Sequence, residues 1–297
     1  MTVLVVGGTG FVGGHVVHAL RAEDVVVRVL ARRPEKQERF KAWGCELVQG
    51  DMTDADSLRR AAEGADTIVH LVALPPFAKP DAIRRVMEQG TRDLVAAAKD
   101  ADVKRFILMS ALGTSERSKD LAPYYHAKWE EEHDVAGSGI EHTIFRPSFI
   151  FGRDGGMLPG LVSLVRWSPV TPVVGTKKLQ PIWVEDVAAY FTKALTAPAA
   201  VNKTFELGGP DVVTFAELNN RIRRALDKRR LALQMPTGLL KAGATVGSHL
   251  PPLRGARDGV AMLDFEDNVT DIRPAVEALG VKPIGLDDML RRATASA

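Results

Sequence analysis

Short, uniformly apolar runs recur through the first half of the chain, each followed by residues with helical periodicity. Val3-Leu4-Val5-Val6 is apolar at every position, the pattern of a strand buried on both faces. Thr9 to about Leu20 reads as the helix that follows, Val25 to Leu30 as a second strand, and the stretch near Cys45 to Val48 as a third. Thr67 to Leu71, Lys104 to Met109 and Thr143 to Pro147 continue the series, with a long helix from about Asp81 to Asp100. His70 lies inside an apolar strand and reads as a core histidine. Strands alternating with helices predict βαβ units, hence an α/β fold with a doubly wound parallel sheet.

After Gly152 the texture changes. Arg153 to about Gln180 is rich in Gly and Pro, Ile182 to Val187 follows with a helix to Leu195, and Thr204 to Leu207 reads as one further strand. Thr214 and Glu217 have the spacing of a capping box. These elements are too short and scattered for a second sheet. Residues 1–152 are therefore expected to form a cofactor-binding core. Residues 153–297 are expected to form mostly a smaller, irregular C-terminal substrate lobe, with 181–208 returning to the core. The basic run from Arg221 to Arg230 spreads over a polar helix face and reads as solvated surface.

Gly7, Gly10 and Gly13 fall where the first strand meets its helix. A dinucleotide pyrophosphate needs a tight turn, a close backbone and helix N-terminal N–H groups aimed at it, and glycine permits all three. Gly7, Thr9, Gly10, Phe11, Val12 and Gly13 are accordingly the expected phosphate cradle. The second strand runs into Arg32 and Arg33, where an acidic residue would select the free ribose hydroxyl and arginine selects a 2′-phosphate. NADP(H) is therefore expected in preference to NAD(H). Asp51 and Met52, past the third strand, are placed beside the adenine, and the backbone of Leu71, Val72 and Ala73 along the far side of the cofactor.

Tyr124 and Lys128 stand one helical turn apart on one face. A cation so placed stabilises a phenolate and is expected to lower the phenol from its ordinary pKa of about 10, as proton exchange near neutral pH requires.

The remaining composition narrows the partners. Among 297 residues, 39 Lys+Arg stand against 37 Asp+Glu, a net charge of +2 that gives no drive toward nucleic acid. Cys45 is the one cysteine, which excludes an internal disulfide framework and suits a reducing compartment. With no basic leader and no apolar run of about 18 residues, a cytoplasmic protein without a membrane-spanning segment is expected. His15 and His18 share a helix face without a third ligand, so no metal is expected.

GGTGFVG at Gly7–Gly13, GD at Gly50-Asp51, YxxxK at Tyr124–Lys128, RPSFIFG at Arg146–Gly152 and IWVEDVA at Ile182–Ala188 together resemble the short-chain dehydrogenase/reductase superfamily, in its extended or atypical branch. FELGGP at Phe205–Pro210 and the region from Met262 to Asn268 are most similar to the complex I accessory-subunit group and its stand-alone bacterial relatives. The resemblance implies a Rossmann sheet, Tyr124 as acid/base, and Lys128 tuning it and holding the nicotinamide ribose. It also implies the backbone at Pro147 and Ser148 near the carboxamide. The pattern departs at two positions: Ala111 stands where the catalytic serine is expected, with Ser110 one position early, and Met87 stands where a helix asparagine is expected.

The expected function is an NADP(H)-dependent oxidoreductase with an incomplete catalytic set of Tyr124, Lys128 and Ser110, acting on a small molecule. Thr114 or water are the other substitutes for the missing serine. A substrate pocket is expected from Leu74–Lys79, Leu112–Tyr124 and Phe149–Gln180. Two alternatives stand beside it. One is a nucleotide-sugar epimerase or dehydratase in which Arg146, Arg166 or Lys177 meets substrate phosphates. The other is a non-catalytic NADP(H)-binding redox sensor or assembly protein. Monomer or homodimer, and docking on a membrane surface or larger complex, are left open.

Overall fold

The computed structural model describes residues 1–167, 170–174, 177–228, 231–235 and 267–295. Its centre is a parallel sheet of seven strands: β1 (Thr2–Val6), β2 (Val26–Ala31), β3 (Glu46–Gln49), β4 (Thr67–His70), β5 (Arg105–Met109), β6 (Glu141–Pro147) and β7 (Lys203–Leu207). They lie in the order β7-β6-β5-β4-β1-β2-β3. Val3 to Val6 are fully buried because β1 is central and both of its faces are covered.

Helices α1 (Phe11–Ala22), α2 (Glu38–Ala42), α3 (Ala55–Ala62), α4 (Pro80–Ile83), α5 (Gly90–Asp100), α6 (Pro123–Ala136), α7 (Leu158–Trp167), α8 (Val184–Ala194) and α9 (Phe215–Ala225) follow in chain order. One sheet face buries Val3, Val5, Val16, Leu20, Val187 and Phe191 beneath α1 and α8. The other buries Leu4, Val6, Leu58, Leu94, Phe106 and Val135 beneath α3, α5 and α6. The chain winds outward from β1 to β3 and then crosses to β4 on the other side of β1. The strand order therefore reverses between β1 and β4, whose carboxyl ends open the crevice where such sheets take their ligands.

The expected strands are present with their ends shifted by a residue or two. Thr204–Leu207 is part of β7, which pairs in parallel with β6 at the sheet edge, Phe205 opposite Phe145. The long helix expected over 81–100 is instead α4, a π-helical turn at Arg84–Gln89, and α5. The wider turn accommodates a fully buried Met87. The stretch read as irregular contains α7, whose Leu158, Val162 and Val165 pack with Phe151, Trp183, Leu218 and Leu286 in a satellite core. Thr214 and Glu217 form the expected capping box at the start of α9. In the basic run Arg221 pairs with Asp211 and Asp287, while Arg229, Arg230 and the segment from Met262 to Asp264 lie outside the described residues.

Candidate active site

The β1–α1 junction has the shape that a pyrophosphate needs. Gly7 turns the chain at a φ of 88°, and a Cβ there would sit 2.9 Å from the backbone of Leu71 and Val72. A Cβ on Gly13 would lie 2.1 Å from the Gly7 carbonyl oxygen, so only glycine lets α1 start this close to β1. No side chain caps α1 at Gly10, which leaves the amides of Phe11, Val12 and Gly13 unpaired by the helix and directed out of its positive end. The residues present thus fit a dinucleotide: a bare helix N-terminus behind a cradle that a Cβ would fill.

The rest of the crevice rim is set by the strand ends. Arg32 and Arg33 are exposed just past β2, and among the described residues neither side chain has an ion pair or hydrogen bond. Asp51 spends one carboxylate oxygen on its own turn, accepting from the Thr53 amide at 2.9 Å and the Thr53 hydroxyl at 2.8 Å. Met52 is buried against Gly90. Leu71 continues from β4 with its amide donating to Val6 at 2.8 Å, and the exposed backbone of Ala73 follows.

A second opening of about 530 Å³ adjoins the cradle through Phe11 and Val12. It brings together Ser110, Tyr124, Pro147 and Ser148, and its walls are mainly apolar, from Phe77, Leu112, Phe149, Met157 and Phe215. Lys177, Lys178, Asp267 and Asn268 are the polar groups of its lining that come from the C-terminal half. The Phe11 ring is held from the side by Gly152 and Gly155, where any Cβ would fall 2.6 and 2.3 Å from it. Ser148 donates its hydroxyl hydrogen to Asn268 Oδ1, and the Lys178 carbonyl accepts from the Asn268 amide at 2.8 Å.

Tyr124 reaches the cleft from the first turn of α6, with Pro123 starting the helix just ahead of it. Lys128, one turn on, is fully buried; its ammonium donates to the Met109 carbonyl and to Glu131 Oε2, both at 2.9 Å. The expected acidification of the phenol does not occur in this arrangement. Burial pushes Tyr124 above its ordinary value; Lys128 pulls it down, and the Glu131 carboxylate opposes Lys128. Lys128 is itself raised, because Glu131, Tyr124 and Glu132 together outweigh the burial that pulls it down.

Ser110 is brought to the cleft, but its hydrogen goes elsewhere. The hydroxyl donates to Glu132 Oε1 at 2.5 Å, and Arg146 grips the same carboxylate from Nε at 2.9 Å and from its terminal nitrogen at 2.5 Å. An ionised carboxylate can only accept, so the Ser110 proton is committed to Glu132 and is not offered to a ligand. Arg146 is spent in the same way, with Glu206 as a further partner at 3.8 Å, and Arg166 lines a separate small hollow beside Trp167. Of the three cations considered for substrate phosphates, only Lys177 lines the cleft.

Glu131, Glu132 and Asn268 were invisible as site residues in the sequence. Glu130, Glu131 and Glu132 are consecutive, and the second and third fall three and four residues after Lys128 and are buried on the inner face of α6. That spacing was the available signal.

Residues 7–198 match the model of the NAD(P)H-binding family. The chain is 31% identical to a ceramide reductase of Caulobacter vibrioides over 82% of this chain and 77% of that one. It is 26% identical to the 40 kDa subunit of mitochondrial NADH-ubiquinone oxidoreductase of Neurospora crassa, over 96% of this chain and 75% of that one. An NADPH-dependent quinone oxidoreductase of Escherichia coli, solved with NADPH, superposes with a TM-score of 0.79 at 20% identity, covering 97% of this chain and 98% of that one. The chain belongs to the NAD(P)H-binding family, which is consistent with its resemblance to the atypical short-chain dehydrogenases/reductases.

Proposed function

We propose that this protein is an NADP(H)-dependent reductase of a lipophilic carbonyl compound, with Tyr124 as its proton donor. The observation that carries the proposal is the position of Tyr124: a phenol held in its neutral form opens on an apolar cleft continuous with the glycine cradle. The bound cofactor supplies a hydride to the electrophilic carbon. Tyr124 gives its proton to the substrate oxygen, and Lys128 stabilises the phenolate left behind. Phe77, Leu112, Phe149 and Phe215 exclude water and hold an apolar body, which agrees with the ceramide and quinone named for two similar proteins. Arg32 and Arg33, without an ion pair or hydrogen bond among the described residues, take the 2′-phosphate and make NADP(H) the preferred cofactor. The engagement of Arg146 and the remote position of Arg166 leave Lys177 as the one of the three cations able to meet a sugar-nucleotide diphosphate in the cleft, which weakens that reading.

The test is NADPH consumption with a para-quinone and with long-chain ketones. Tyr124→Phe should reduce kcat by at least about a hundredfold and leave NADPH affinity unchanged. Normal turnover by that variant would refute the role of Tyr124.

One observation favours a second reading, a cofactor-binding protein without turnover that serves as a subunit of a larger assembly, as the N. crassa relative is named a subunit of NADH-ubiquinone oxidoreductase. Ala111 offers no hydroxyl and the Ser110 hydrogen is taken by Glu132, so no serine is left to polarise a substrate carbonyl. NADPH bound tightly but consumed with none of the carbonyl compounds would support it.

A further inference from the structure

The cleft contains a hydrogen-bond donor that the proposed proton transfer does not use. Asn268 enters the lining from a short segment bridged in parallel to Leu179, 120 residues beyond Ser148. Its main chain is held from both sides. The Asn268 amide donates to the Lys178 carbonyl at 2.8 Å, and the Asp267 carboxylate accepts from the Lys178 amide at 3.0 Å. Two residues on, the Thr270 amide donates to Gln180 Oε1 at 2.8 Å and the Thr270 hydroxyl to Glu206 Oε2 at 2.6 Å. The side chain is held by Ser148, whose hydroxyl donates to Asn268 Oδ1 at 2.5 Å and whose own amide is tied to the Leu207 carbonyl at 2.8 Å. With the oxygen so engaged the plane of the side-chain amide is set. Its two N–H groups remain, and among the described residues neither has an acceptor.

Resting on the reductase reading above, we infer that Asn268 supplies the hydrogen bond to the substrate carbonyl oxygen that the serine missing at Ala111 would have given, and that Ser148 is the positioning residue that aims it. Both serines of the cleft lining have committed their protons within the protein, Ser110 to Glu132 and Ser148 to Asn268 itself. Asn268 has donors to give. It lines the same opening as Tyr124, and the walls around them are mainly apolar, so a carbonyl oxygen brought there from water needs a donor to replace its lost hydration. A neutral amide meets that need without a counter-ion. A donor fixed before the substrate arrives also requires no reorganisation as charge develops. When the hydride reaches the carbon, the electron pair of the C=O π bond moves onto the oxygen, which takes the Tyr124 proton. Asn268 keeps both of its own protons and stabilises the negative charge that builds on the oxygen during the transfer.

The test uses the full-length protein saturated with NADP⁺, so that nothing turns over, and a long-chain methyl ketone labelled with ¹³C at its carbonyl. A hydrogen bond to the oxygen draws electron density from the carbon and moves its signal downfield. The signal of the bound ketone should lie downfield in the wild type and return upfield in Asn268→Ala, in Asn268→Asp and, in part, in Ser148→Ala. Asn268→Asp is the sharpest variant: its carboxylate still accepts from Ser148 and keeps the shape of the side chain, but presents an acceptor to the cleft in place of the donors. With NADPH and the same ketone, both Asn268 variants should lower kcat at least about tenfold, with a smaller change in KM and with NADPH affinity and the urea midpoint near those of the wild type. A bound signal at the same position in the wild type and Asn268→Asp, no bound signal at all, or wild-type kcat in Asn268→Asp would overturn the inference. If the carbonyl signal responds to Asn268 while NADPH is never consumed, the reductase reading fails and the donor stands. If NADPH is consumed and Asn268→Asp changes neither rate nor signal, the donor fails and the reductase reading stands.

Discussion

Gly13 faces the carbonyl oxygen of Gly7 so closely that a Cβ on Gly13 would stand 2.1 Å from it. This one contact sets how near α1 approaches β1, and with it where the uncapped amides of Phe11 to Gly13 point. Gly13→Val should therefore cost about 1–3 kcal/mol in chemical denaturation and abolish NADPH binding by calorimetry. Near-normal affinity in a folded Gly13→Val protein would contradict the cradle.

Breaking the Glu132 cluster should be costly for stability. Glu132→Gln leaves Arg146 without its two close carboxylate contacts and turns the Ser110 hydroxyl toward a weaker acceptor. Arg146 retains some access to solvent, so the expected loss is about 2 kcal/mol, below that of a fully buried pair. Urea unfolding midpoints at constant slope would measure it.

His70 predicts a particular acid sensitivity. Its folded value, about 3, lies below the ordinary 6.5, so between these values the unfolded chain takes up a proton that the native state refuses. The unfolded state then binds more protons, and the stability His70 contributes is present above pH 6.5 and lost as pH falls toward 3. Within that window the slope is about 1.4 kcal/mol per pH unit. Glu131 acts in the opposite sense between 4.5 and about 7, because its folded value is raised. The difference between wild type and His70→Gln isolates the histidine: the variant should lose this slope, and identical pH dependences would count against it.

A local change at the start of α9, beside the cleft wall at Phe215 but outside the glycine cradle, should leave NADPH binding alone. Thr214→Ala removes the side chain that caps α9 through the Glu217 amide at 3.2 Å. A loss of about 1 kcal/mol with unaltered NADPH affinity is expected, read by thermal unfolding and calorimetry.

The sheet was legible in the sequence because its strands are buried on both faces and so are apolar without alternation, as in Val3–Val6. The cradle was legible because its glycines are sequential. What failed to show was whatever depends on distant residues meeting. The commitment of Ser110 to Glu132 joins positions 22 residues apart, and the seat of Asn268 against Ser148 joins positions 120 apart. Spacing correctly paired Tyr124 with Lys128 on one face, but it could not register the two opposing terms, burial and Glu131, that leave the phenol raised. Helix α7 was hidden for a different reason: Gly and Pro around Pro159-Gly160 mask a helix held by tertiary packing of Leu158, Val162 and Val165.

Every step proposed for Tyr124 depends on the cofactor that Arg32 and Arg33 are proposed to select. The most direct measurement is calorimetric titration of NADPH and NADH into the wild-type protein and into Arg32→Ala/Arg33→Ala. NADPH should bind at least about tenfold more tightly than NADH, a difference of about 1.4 kcal/mol, and the double variant should lose that preference while keeping its NADH affinity. Equal affinities in the wild type, or a preference that survives the double substitution, would contradict the account.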